Sequence, residues 1–377
     1  MKTLDAYFQE YLGDRSNDKA VIFPNVKSEE YRYSMIVPKL ASMALDPFQK
    51  GQIIDVLWES DYNFFSDQQS EFFSLMAYDQ LSPYFFRHKN YFKQASIAKD
   101  PLFYNIKFPE SRDTMTITFA GSKGSLMDKK VYICVGANRK VKIYINFLSE
   151  HSSLMMPLIF VEAGAYSHVE VIYVVPPLFN RGVILPIYEF IAQKNSHISL
   201  QTFTEGIEFH RLAFIGYLAG TESHIDLRTG FCLRGKEACD LYVRMFHEAP
   251  DSTSNQMIKA STFDSSTMNF NGQIYANHEA KNIYAYQMLK GMLLGEDSQI
   301  FARPQLDIEY FELACSHGVS IGGFDPEELF YLRSRGVADK DVYPLLLYGF
   351  FAEPFMELDL EDFWISKIKT ALGTEAS

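Results

Sequence analysis

Ser167-His168-Val169-Glu170-Val171, Ser196-His197-Ile198-Ser199-Leu200 and Ser223-His224-Ile225-Asp226-Leu227 are three versions of one phrase. They lie 29 and 27 residues apart, each behind a turn of small or polar residues: AGAY, QKN and AGTE. Within each phrase apolar and polar residues alternate, which is the period of a half-buried strand. A strand-turn-strand unit that recurs at this period predicts a stacked β-solenoid, whose coils bury their apolar faces against one another. A sandwich or jelly roll is the alternative. Asp297-Ser298-Gln299-Ile300 is a weaker echo of the same phrase.

The surrounding sequence has the same texture. TMTITF, KVYICV, KVKIYINF, LIFVEA, VEVIYVV and HISLQTF are short runs rich in Val, Ile, Tyr and Thr, separated by polar turns. The reading is a large β core over residues 111–323. Residues 1–110 are expected to form a mostly helical domain, with Ile53, Ile54, Leu57 and Trp58 at helical spacing. Residues 324–377 are expected to form a small helical domain. There Asp325 caps, Pro326 takes the first helical position, Glu328 completes a capping box and Gly336 ends the helix. Second and third helices are expected from Asp341 to Ala352 and from Leu360 to Leu372.

Of 377 residues, 47% are hydrophobic and 22% charged, so a sizeable core needs no covalent staples. The net charge of −12 argues against broad binding to nucleic acid or to an anionic membrane. Four scattered cysteines without a CxxC pair argue against a disulfide-built secreted domain or a zinc knuckle. The segment from Met1 to Gly13 does not read as a signal peptide, and the longest apolar runs are about half of the ~20 residues that span a bilayer. A reducing cytoplasm is the expected compartment.

Two constellations offer metal-ligand chemistry. His168, His197 and His224 hold equivalent repeat positions, and three stacked imidazoles could bind a metal. Strand phase turns them away from Val169, Ile198 and Ile225, onto the face that carries Glu170, Ser199 and Asp226. Repeat periodicity alone accounts for that pattern, so a solvated polar column is the expectation. The second constellation is Cys315-Ser316-His317. On a strand, Cys315 and His317 share a face with Leu313, Val319 and Ile321, opposite the small residues Ala314, Ser316, Gly318 and Ser320. A thiol and an imidazole side by side suit iron or zinc. The bland reading is a buried free cysteine beside a hydrogen-bonded histidine. Two ligands do not complete a metal site, so the rest would come from elsewhere, such as a second chain.

Other signals fail. Gly121-Ser122-Lys123-Gly124-Ser125 does not complete a P-loop, no G-x-S-x-G elbow or H-E-x-x-H is present, and no dinucleotide fingerprint follows a strand.

The stretch ACSHGVSIGGFDPEELFYLRSRGV, residues 314–337, resembles the C-terminal signature of the SufB/SufD family of iron–sulfur cluster assembly scaffolds. HEAPDSTSNQMIK from His247, FNGQI from Phe270, Ala280-Lys281, Ala285-Tyr286-Gln287 and RPQLDI from Arg303 resemble its upstream motifs. Glu29-Glu30-Tyr31-Arg32-Tyr33 is similar to its N-terminal motif, and Cys-Ser-His-Gly is similar to the SufD branch. The resemblance implies a right-handed parallel β-helix between N- and C-terminal helical domains. It implies a non-enzymatic scaffold that pairs with a SufB-like paralogue, or with a second copy of itself in isolation. A SufC-like ATPase would dock on the C-terminal helices, with Leu329, Phe330, Leu332, Arg333 and Arg335 as candidate contacts. No nucleotide would be bound by this chain. His317, with Cys315, would contribute to a transient Fe–S cluster shared across the subunit interface. The competing classes are a β-solenoid enzyme acting on polysaccharide or acyl substrates, and a standalone metal-binding protein built on the histidine column.

Overall fold

A computed structural model describes residues 53–58, 73–77, 80–87, 102–108, 110–121, 126–149, 153–175, 182–309, 313–356 and 358–373. The β core is a parallel solenoid of two facing sheets. The first sheet runs, in spatial order, through Ile53–Trp58, Thr114–Gly121, Lys140–Ser149, His168–Val174, His197–Glu205, His224–Leu233, Thr253–Thr262, Tyr284–Leu293 and Ala314–Gly322. The main path of the second runs from Phe73–Ala77 through Leu102–Lys107, Lys130–Val135, Leu158–Ala163, Ile187–Ala192 and Phe209–Leu218. It continues through Ala238–His247 and Thr267–Ala276 to Gln299–Ile308. The runs quoted from the sequence are strands, and the three phrases stack in register, His168 beside His197 beside His224. Val169, Val171, Ile198, Leu200, Ile225 and Leu227 point inward into one continuous core, as their phase predicts.

The corner before each phrase explains its residues. Asn138, Tyr166, Asn195, Glu222, Asp251 and Asn282 stack in successive coils with φ between 50° and 59°. Each of the middle corners hands its backbone N–H to the next coil, as from Asn195 to the Thr221 carbonyl at 2.8 Å. At three of these corners a serine closes the turn: Ser167 Oγ donates to the Gly164 carbonyl, Ser196 Oγ to that of Gln193 and Ser252 Oγ to that of Ala249. Coils approach so closely here that a Cβ on Gly220 would lie 2.0 Å from the Lys194 backbone nitrogen. Left-handed backbone suits Asn and disfavours bulky side chains. Tyr166→Asn is therefore expected to stabilise the fold by about 0.5–1 kcal/mol, read as a higher urea midpoint.

Two readings are corrected. Ile53–Trp58 is a strand, antiparallel to Thr114–Gly121 with Ile53 opposite Ala120 and Trp58 opposite Met115. Six residues fit a helical stripe and a strand almost equally well. Ile, Val and Trp favour extended backbone, and the open start of the first sheet supplies a partner. Two further strands, Phe73–Ala77 and Leu102–Lys107, also precede residue 111. The remainder of the helical reading of 1–110, Glu29–Tyr33 included, lies outside the described residues apart from a short 3-10 turn at Pro83–Phe86. The echo at Ser298 belongs to the second sheet, with Gln299 beside Thr267. It marks the opposite corner, where Ser298 Oγ closes on Gly295 by the same hydrogen bond.

The C-terminal helices are α1 (Pro326–Ser334), α2 (Asp339–Ala352) and α3 (Glu361–Leu372). Asp325 Oδ1 accepts from Glu327 N at 2.8 Å, and Gly336 ends α1 at φ +85°. The last two helices cover the outer face of the first sheet. Phe351, Phe355, Trp364 and Ile368 pack on Ile172, Val174 and Phe203, and buried Trp364 Nε1 donates to Gln201 Oε1 at 2.8 Å. Buried Lys259 reaches out of the sheet to pair with Glu353 beneath the Phe350 ring.

Candidate functional site

Among the described residues the last strand of the first sheet is Ala314–Gly322, which pairs there only with Tyr284–Leu293 and has no strand on its other edge. Register sets the site. Cys315 lies beside Ala285, His317 beside Gln287, Val319 beside Leu289 and Ile321 beside Gly291. Since Ala285, Gln287 and Leu289 are buried inward-facing positions, Cys315 and His317 share the inner face of the last coil, as strand phase predicts. Among the described residues no further coil covers them there. Cys315 is half-buried against Ala276, Ala280, Ile283, Ile308 and Leu313, whereas His317 is exposed. Burial pushes the Cys315 thiol up to about 11, so it is protonated at neutral pH. A metal would have to displace that proton to gain the thiolate. Small residues on the opposite face serve a packing purpose: Gly318 makes room for the Met288 side chain.

Behind His317 lies a polar interior that residue patterns did not single out. Gln287 Nε2 donates to Gln256 Oε1, and both side chains are fully buried. Their space comes from Gly272, where a Cβ would meet the Gln287 amide at 2.5 and 2.6 Å. Buried His247 is linked to Ser252 Oγ and Ser254 Oγ at 2.9 Å each. These residues come from the quoted stretches HEAPDSTSNQMIK, FNGQI and AYQ, which converge on the last coils. The signal was present in the alternation for Gln287, which occupies an inward position between Ala285 and Leu289, whereas Gln256 follows the inward Ser254.

The candidate docking residues sit on α1. None of its residues is buried; Phe330 is 72% exposed, with Tyr331 also exposed beside it. Leu329 and Leu332 are half-buried, Arg335 is exposed, and Arg333 Nε donates to Asp339 Oδ1 at 2.8 Å. Residues 122–125 of the rejected phosphate-loop candidate lie outside the described residues. Among the described residues no helix is long and apolar enough to cross a membrane.

The histidine column is on the outer face, as phase predicts. His168 Nε2 is 3.2 Å from Glu170 Oε1, and the rings of His197 and His224 lie 4.4 Å apart. Asp226 bridges two histidines, with Oδ2 3.2 Å from His197 Nε2 and Oδ1 2.9 Å from His224 Nε2.

A family model described as "SUF system FeS cluster assembly, SufBD core domain" matches residues 118–350. The chain belongs to the SufBD family. The matched span covers the solenoid from within Thr114–Gly121 onward, its last strand, α1 and most of α2. Among relatives, the iron-sulfur cluster assembly protein SufD of Escherichia coli (strain K12) is 32% identical over 117 residues, 31% of this chain and 28% of that protein. The protein of the same description from Bacillus subtilis (strain 168) is 29% identical over 144 residues, 38% of this chain and 33% of its own. Protein ABCI7, chloroplastic, of Arabidopsis thaliana is 26% identical over 135 residues, 36% and 28% of the two chains. Each match spans a third or less of these relatives' own length. Within the SufBD family this chain is SufD-like, and the family places it in iron–sulfur cluster assembly.

Proposed function

We propose that this chain is a non-catalytic scaffold subunit. It pairs through the open end of its solenoid with a SufB-like paralogue and docks a SufC-like ATPase on its C-terminal helices. The observation that carries the reading is the pairing of Cys315 and His317 on the inner face of a terminal coil. A thiol and an imidazole stand side by side at the place where a second chain would complete both the sheet and the ligand set. Val319 and Ile321 are 39% and 38% exposed along the same edge, an apolar surface of the kind that a partner covers. Exposed Phe330 and Tyr331 on α1 supply aromatic anchors for a second partner, with Arg335 beside them. The cluster is cargo: it forms between chains, with His317 as ligand and Cys315 as a second ligand once deprotonated. ATP is hydrolysed on the ATPase rather than here. The cysteines Cys134, Cys232, Cys239 and Cys315 are free thiols, which suits a reducing cytoplasm.

The test is co-expression with the SufB-like and SufC-like proteins of the same organism, wild type against His317→Ala. Purification through this chain is followed by assay of partners, iron and acid-labile sulfide. The expected result is that the variant retains both partners and loses most of the iron and sulfide. Absence of the partners from the wild-type preparation, or an unchanged iron and sulfide content in the variant, would overturn the reading.

A further inference from the structure

We propose that His197, His224 and Asp226 form a binding site for one divalent first-row transition-metal ion on the outer face of the solenoid. This site is separate from Cys315 and His317, and the inference does not rest on the scaffold reading.

The argument is geometric. Parallel strands of adjacent coils stand about 4.8 Å apart, so identical register positions present their side chains at that spacing. His197 and His224 are such a pair, and Asp226, two residues beyond His224, shares their face. The carboxylate sits between the two imidazoles, 3.2 Å from one Nε2 and 2.9 Å from the other. All three ligand atoms lie within 4.8 Å of one another. An ion with bonds of about 2.0–2.2 Å holds adjacent ligand atoms about 2.9–3.4 Å apart. The two histidine–carboxylate separations, one to each carboxylate oxygen, fall in that range, as they would for a carboxylate that faces a common centre with both oxygens. Two imidazoles and a carboxylate on one side of an ion, with the other positions open, select Zn²⁺, Co²⁺, Ni²⁺ or Fe²⁺ over Mg²⁺ and Ca²⁺, which prefer oxygen.

Accessibility and rigidity agree. The side chains of His197 and His224 are 31% and 38% exposed, so solvent or a small ligand can fill the open positions, while Asp226 is nearly buried. All three residues stand on central strands of the first sheet, each paired on both sides, so the set is held in place by the backbone register.

The neighbouring charges decide why the site is here and not one coil away. His168 and Glu170 repeat the same spacing, but Lys142 already stands 3.7 Å from the Glu170 carboxylate. Lys142 and Lys140 also pair with Asp359 of the helical domain. Between Glu170 and Asp226 the register position is Ser199, which supplies no carboxylate. The cation nearest Asp226 is Arg228, with Nη2 at 3.9 Å, but its Nη1 donates to the Pro354 carbonyl, which holds it toward the helices. A divalent ion at this position would meet one carboxylate and two imidazoles on a chain of net charge −12.

The test uses the full chain, freed of any affinity tag and stripped with chelator. Co²⁺ is titrated while visible d–d absorption is followed, and Zn²⁺ binding is measured by calorimetry. Four proteins are compared: wild type, His224→Ala, Asp226→Asn and the double variant Cys315→Ser/His317→Ala. Thermal melting of each without metal shows that the fold is retained. The expected result is one equivalent bound by the wild type and by the Cys315/His317 variant alike. His224→Ala and Asp226→Asn should each lose more than about tenfold in affinity, since even an outer-shell partner is worth about 10–100-fold. Failure of the wild type to bind at micromolar metal would overturn the proposal. So would loss of binding only in the Cys315/His317 variant, or equal affinity in His224→Ala.

Discussion

Between pH 7 and pH 5 the folded chain is expected to lose about 3–4 kcal/mol of stability. Two deeply buried histidines carry most of it, and His197, which burial also lowers, adds to it with the same sign. Burial pushes His210 and His247 down to about 3, whereas an unfolded histidine titrates near 6.5. Above pH 6.5 both states hold these rings neutral, so the full stability is present. As pH falls below that value, the unfolded chain takes up protons that the folded chain refuses. Each ring then costs about 1.4 kcal/mol per pH unit until its folded value is reached. Any folded value below about 4 gives nearly the same loss over this window, so the prediction depends on burial and hardly on its degree. Asp226 and Glu353 are also shifted. Burial alone would raise both, but hydrogen bonds from His197 and His224, and from Lys259 and Lys290, outweigh it and hold the carboxyls below their usual range. Their contribution is present above the ordinary carboxylate range and is lost only at lower pH, so it leaves the window from 7 to 5 to the histidines. Urea midpoints at pH 7, 6 and 5 measure the slope, and His247→Gln should remove about half of it. A flat profile would mean that these rings are charged or solvated in the folded state.

Legibility in the sequence followed the physics of each feature. The repeated phrase was readable because a solenoid reuses one corner, and a left-handed position, a serine soon after it and an inward Val or Ile recur at nearly constant spacing. The shared face of Cys315 and His317 was readable because strand phase is strict. The strand at Ile53–Trp58 was misread because a six-residue run carries too few periods to separate helix from strand, and its partner lies more than fifty residues away. The docking of α2 and α3 left only a faint trace. Ile172, Val174 and Phe203 are apolar at outward positions, which breaks the alternation in VEVIYVV and HISLQTF. Read without the helices, that break resembles a strand buried on both faces, which it is. The bridging role of Asp226 could not be read, because it depends on a side chain placed between residues of two coils, and spacing along the chain carries no such angle.

Replacing Val319 by aspartate together with Ile321 by lysine is expected to abolish pairing with the SufB-like partner, and with a second copy of the chain, while leaving the fold intact. Both side chains stand on the last strand of the first sheet, more than a third exposed, with an edge beside them that no described strand pairs. A strand edge of this kind with apolar side chains is a template for another chain, and proteins that stay alone blunt it with charge or proline. The contrast within this molecule is direct. The last strand of the second sheet carries Pro304, Arg303 and Asp307, whereas Ala314–Gly322 has no proline and His317 as its one titratable side chain besides the Cys315 thiol. Charges at Val319 and Ile321 would have to be buried on pairing, which costs several kcal/mol per unpaired ion. In the free chain both positions keep more than a third of their surface in water, so the charges cost the fold less than they cost pairing. Light scattering of the isolated chain and co-purification with the partner are the measurements, with a melting curve as control. The two site variants should then separate: His317→Ala keeps the partner and loses the cluster, whereas the edge variant loses both. If the edge variant still pairs, the partner meets this chain on another surface, and Cys315 and His317 would have to find their remaining ligands elsewhere.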